Sequence, residues 1–171
     1  MPDAQASGPR PGEGPDFEAL LLRAGFNFHV FLAAALALLP ELGADADLLI
    51  RRVAKRLAPT WAGLRGHGAD AVLHLVLENL AATGYTVRGV EAGPDTVYAT
   101  LALVPLGLSD EDWAAVLEPF GATPALMQAL FGVFGPLAAA AGATIDVQIE
   151  AGELRLAVRR EGAAPRPADL A

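Results

Sequence analysis

Helix-spaced and strand-spaced apolar runs follow one another twice along this chain. Asn79-Leu80-Ala81-Ala82-Thr83-Gly84 leads into Tyr85-Thr86-Val87, then Glu91-Ala92-Gly93, then an apolar run from Val97 to Leu103. Pro136-Leu137-Ala138-Ala139-Ala140-Ala141-Gly142 leads in the same way into Ala143-Thr144-Ile145, then Glu150-Ala151-Gly152, then Leu154 to Val158. Each unit reads as a helix end stopped by glycine, a strand, an acidic-small-glycine turn and a returning strand. Two such hairpins predict one antiparallel sheet with helices on a face.

The remaining pattern is helical. Asp16 can cap a helix running to about Leu39, whose last turns are apolar on nearly every side, as in a helix enclosed by others. The aspartates of Gly43-Ala44-Asp45-Ala46-Asp47 can cap a second helix, about 47–57, with the stripe Leu49, Ile50, Val53 and Leu57 and Pro59 as its stop. After a loop at 63–68, a third helix over 69–83 carries Val72, Leu73, Val76, Leu77 and Leu80. In 97–104 both faces are apolar or small, which predicts a central strand covered on both sides. Gly93-Pro94-Asp95 supplies a turn. Ser109 and Asp112, flanked by Leu108 and Trp113, form a capping box with a staple. Thr123-Pro124 opens a last helix, which Gly135-Pro136 should bend. In the final hairpin Ile145, Val147 and Ile149 share a face, as do Leu154, Leu156 and Val158. Thr144, Asp146, Gln148, Arg155 and Arg159 face away.

Together these elements predict an α+β fold in the order αααββααββ, with helices packed on a four-stranded antiparallel sheet of two β-hairpins. No linker divides residues 16–161, so they should form a single domain. Residues 1–15 and 162–171 are rich in proline with glycine or alanine and read as disordered tails.

Composition narrows the function classes. The 171 residues are 53% hydrophobic and 19% charged, enough for a well-buried core. The net charge of −8 argues against nucleic acid as a partner. The absence of cysteine removes disulfides, thiolate chemistry and Cys-ligated metals. The first residues do not resemble a signal peptide. The longest apolar stretch, 26–39, is shorter than the ~20 residues a bilayer requires. The expectation is therefore a cytoplasmic protein without a membrane span.

Three constellations could carry chemistry. Asp70, His74 and Glu78 line one helix stripe, where a carboxylate could orient an imidazole as a general base. The competing reading is the solvent face of an amphipathic helix. His29 lies among Phe26, Phe28 and Phe31, and could contact a ligand or simply bond a backbone carbonyl in the core. Arg51, Arg52, Lys55 and Arg56 could bind an anion, or could form a solvated face paired with the abundant acids. Small residues at 33–35, 138–141 and Gly132 permit either close helix packing or room for a flat apolar ligand. No nucleophile elbow, phosphate-binding glycine loop or metal motif is present.

The order of elements resembles the C-terminal part of the heme-nitric oxide/oxygen binding (H-NOX) family. The similarity runs over roughly residues 76–160, through Leu106-Gly107-Leu108, Phe131-Gly132-Val133, Leu137 to Gly142 and Thr144-Ile145-Asp146-Val147. It implies an H-NOX-like fold. The family's Tyr-x-Ser-x-Arg signature falls on Leu101, Leu103 and Pro105, and its proximal histidine falls near Glu78, so heme of that kind is not expected. Phe28-His29 and the segment 43–57 also resemble vinyl-reductase-like domains and L-2-amino-thiazoline-4-carboxylate hydrolases. Those enzyme-like relatives tend to have cysteines, which this chain lacks.

The reading that follows is a noncatalytic binding or sensing domain for a small apolar or tetrapyrrole-like molecule, lined by His29, Phe28, Phe31, Phe131, Phe134, Gly132 and Trp113. Two alternatives stand beside it. One is a hydrolase or isomerase using His74 with Asp70 or Glu78. The other is a structural or oligomerisation module, with a homodimer formed through the exposed helices.

Overall fold

The computed structural model describes residues 16–161 apart from Pro94. Both expected tails and that turn proline lie outside the described residues. The elements are α1 (Phe17–Ala37), α2 (Ala46–Trp61), α3 (Ala69–Ala82), β1 (Val87–Ala92), β2 (Thr96–Ala102), α4 (Asp110–Leu117), α5 (Pro124–Ala129), α6 (Phe134–Ala140), β3 (Ala143–Glu150) and β4 (Glu153–Arg160). Helix starts follow the capping chemistry. The Asp16 carboxylate accepts from the Glu18 and Ala19 amides, Asp45 from Leu48, Ser109 from Asp112 and Thr123 from Leu126.

The two hairpins form one four-stranded antiparallel sheet in the order β1-β2-β4-β3. They join through their second strands, with Ala99 opposite Leu156 and Leu101 opposite Leu154. Ala99, Leu101, Leu154, Leu156 and Val158 are buried and share a core with Val72, Val76 and Leu80 of α3 and Leu137 and Ala138 of α6. A second, smaller core joins Ala33 and Leu36 of α1 to Trp113, Leu117 and Met127.

Four expectations need correction. β2 is central, but helices cover only one of its faces. Tyr98 and Thr100 point the other way, into a shallow polar depression with Asp146, Gln148, Arg155 and Arg159. Pro59 does not stop α2, which continues to Trp61. Proline removes only its own amide donor, while the Ala62 amide still reaches the Ala58 carbonyl and buried Trp61 anchors the last turn. The last helix is broken one turn earlier than Gly135-Pro136. A 3-10 turn at Leu130–Val133 separates α5 from α6, because Pro136 has no N–H for the Gly132 carbonyl.

The fourth correction concerns α1. Its buried stripe is only Gly25, His29, Ala33 and Leu36, and Phe17, Leu21 and Phe31 face outward. The helix lies on the outside of the fold rather than enclosed by it. Among the described helices it is the single one long and apolar enough by length and composition to cross a membrane. The bent pair 110–120 and 124–140 passes the same test when taken as one span.

The β3–β4 hairpin turns on Ala151 and Gly152, both with positive φ (48° and 78°). Such two-residue turns favour asparagine and glycine, and an L-side chain in the left-handed region costs about 1–2 kcal/mol. Ala151→Gly is therefore expected to raise the unfolding free energy by about 0.5–1 kcal/mol in urea denaturation. Unchanged or reduced stability would contradict this turn assignment.

Candidate functional site: an apolar cavity beside His29

The site begins at the end of α3. Helix ends leave carbonyls without intrahelical partners, and Gly84 in the left-handed conformation (φ 95°) turns the chain out toward β1. A Cβ at Gly84 would overlap the Leu106 side chain, which also packs on Gly25 of α1. Leu106 donates its amide to the Gly84 carbonyl at 2.8 Å. The glycines let α1 lie close to this turn.

The close approach brings His29 to the turn. Its Nε2 is 2.7 Å from the Thr83 carbonyl oxygen, which can only accept, so Nε2 carries the proton. In the neutral ring Nδ1 is then an acceptor. Nδ1 is buried and has no hydrogen-bond partner among the described residues. The residue is 2% exposed, with Phe28, Tyr85 and Trp113 edge-on around the ring at 5.5, 5.7 and 5.3 Å between centroids. Burial holds the imidazole below its ordinary value, against a smaller opposing effect of the Thr83 hydrogen bond.

His29 lines a cavity of about 330 Å³ bounded by α1, α2, the end of α3 and the α5–α6 segment. The wall is largely apolar, with Asn79 and Thr83 beside His29 as its polar members, and takes residues from both cores, including Leu49, Trp61, Met127, Leu130 and Phe131. The space lies where the two cores do not merge. Phe28, Val53 and Leu57 form its partly exposed rim, at 45%, 37% and 43% of their full surface. Tyr85, Met127 and Phe131 separate it from a second space of about 240 Å³ beneath Trp113. Burial raises the Tyr85 phenol to about 12.

The candidate residues divide accordingly. His29, Phe28, Phe131 and Phe134 line the cavity. Trp113 does not, but it packs on His29 and lines the smaller space. Gly132 abuts Ile50 of α2 instead. Phe31 is 72% exposed, because it sits on the outer face of α1 away from the His29 stripe. The small residues of α1 and α6 do not face each other: Ala33 belongs to one core and Ala138 to the other.

His74 bonds Glu78 at 3.2 Å with three quarters of its side chain exposed, and neither it nor Asp70 lines any of these cavities. That is the solvent face of α3. Arg51, Arg52, Lys55 and Arg56 are all exposed on α2. None of them forms an ion pair among the described residues. No group of three or more His, Asp or Glu side chains among the described residues could hold a metal ion.

Sequence reasoning missed the α2 wall and Tyr85. The periodicity of Leu49, Ile50, Val53 and Leu57 marks an inward face, but spacing alone does not separate a cavity wall from a packed core. Comparison of the chain with protein-family models, curated proteins and solved structures finds no match.

Proposed function

We propose that this protein is a noncatalytic binding module for a small, largely apolar molecule that donates one hydrogen bond to His29. The observation that carries the reading is that His29, whose buried Nδ1 has no partner among the described residues, is a lining residue of a largely apolar space. An unpaired buried polar atom costs about 1–3 kcal/mol, and a ligand hydroxyl or N–H would remove that cost. A volume of about 330 Å³ is at the lower end for small-molecule sites, which favours a slim ligand over a tetrapyrrole. Leu101, Leu103 and Pro105 lack the polar groups that hold heme propionates in the H-NOX family.

The test is calorimetric titration with 1-decanol and with its methyl ether, which keeps the chain but loses the donor. The alcohol should bind at least about tenfold more tightly, the value of one hydrogen bond to a buried acceptor. Val53→Trp, at the partly exposed rim, should abolish binding while leaving the circular dichroism spectrum unchanged. Equal affinity for alcohol and ether, or undiminished binding by the Val53→Trp variant, would refute the reading.

A second reading, an oligomerisation module, is favoured by the outward apolar face of α1 at Phe17, Leu21 and Phe31. Sedimentation velocity of the wild type and of Phe31→Glu distinguishes them. A dimer lost on substitution supports this reading, and a monomer in both contradicts it.

A further inference from the structure

The cavity rim and the cationic face of α2 are neighbours on one helix. Leu49, Val53 and Leu57 line the cavity, and at 3.6 residues per turn Arg56 projects beside Leu49 and Val53, with Arg52 one turn before it on the same flank and further from the lining face. Lys55 falls on the side of the helix opposite the lining residues. The chain carries 20 acidic residues against 12 basic ones. Yet Arg52 and Arg56 have no ion-pair partner among the described residues. Two exposed guanidinium groups without an ion-pair partner among the described residues thus stand on the helix that walls an apolar space lined by His29. Guanidinium is the side-chain group best shaped to take a carboxylate or phosphate.

Resting on the cavity reading above, we infer that the ligand is a single-chain anionic amphiphile: an apolar chain that enters the cavity, a hydroxyl or N–H that reaches His29, and a carboxylate or phosphate held by Arg52 and Arg56 at the mouth. The net charge of −8 disfavours docking of the whole protein on an anionic bilayer, so the anion is that of a free molecule.

The probes are ω-hydroxy carboxylates from octyl to tetradecyl, each compared by calorimetry with the 1-alkanol of equal length. Wild-type protein should bind the best hydroxy acid about five- to tenfold more tightly than its alkanol. In R52Q/R56Q that advantage should fall below about twofold and alkanol affinity should stay unchanged. The advantage should also shrink with added salt, since the head group is exposed. Alkanols bound as tightly as hydroxy acids in the wild type would overturn the anionic head group while leaving the cavity reading intact. An advantage that survives R52Q/R56Q would overturn the assignment to these arginines. Failure of both series to bind would overturn both readings. Cosedimentation with phosphatidylglycerol vesicles without binding of the free hydroxy acids would assign the arginines to a membrane surface and overturn the free ligand.

Discussion

Leu101→Ala is expected to lower the unfolding free energy by about 2–5 kcal/mol. Leu101 is fully buried at the middle of β2, opposite Val87 on one side and Leu154 on the other, on the sheet face that α3 covers. Truncation there removes apolar contact and leaves a void that three strands and a helix cannot close together. Gln148→Ala, on the open face of the sheet, should change stability by no more than about 0.5 kcal/mol. Urea denaturation followed by circular dichroism measures both. A loss below about 1 kcal/mol at Leu101 would mean that the sheet does not bury this face.

His29→Leu is expected to cost about 1–3 kcal/mol and to flatten the acid side of the stability profile. The cost comes from the half-buried Thr83 carbonyl, which loses its donor. The pH effect follows from the direction of the imidazole shift. Burial lowers the folded-state value below the ordinary 6.5, so the unfolded chain binds the proton first. The contribution of neutral His29 is complete above pH 6.5 and is lost as pH falls through the lowered folded value. The substitution removes only this imidazole, so the difference between the wild-type and variant profiles reports on His29. Parallel profiles from pH 7.5 to pH 4.5 would show that His29 is not buried as a neutral ring.

Much of the architecture was legible because the signals are local. Alternation in Ile145, Val147 and Ile149, glycine at 84 and 142 and side-chain caps at Asp16, Ser109 and Thr123 each report on a few neighbouring residues. They recover the hairpins and most helix boundaries. The position of α1 was not legible, because an apolar helix reads alike whether other helices enclose it or only a four-residue stripe holds it. Pro59 misled for a related reason, since the buried indole of Trp61 outweighs the lost amide bond. At the site, His29 and its phenylalanine neighbours could be found from an imidazole set among apolar residues. Its partner could not, since the Thr83 carbonyl lies 54 positions away and is a backbone group with no sequence signature. Phe28 and Phe31 looked equivalent by composition, and only the rotation of α1 puts one on the rim and the other outside.

The central claim is that a ligand completes the hydrogen bonding of His29. The most direct measurement follows the two imidazole ¹⁵N resonances of His29 during titration with 1-decanol to calorimetric saturation. The account predicts that the Nε2 resonance stays in place, still donating to Thr83, while the Nδ1 resonance moves as its lone pair accepts the ligand hydroxyl. An Nδ1 resonance unmoved at saturation, with shifts confined to Phe17, Leu21 and Phe31 on the outer face of α1, would contradict it.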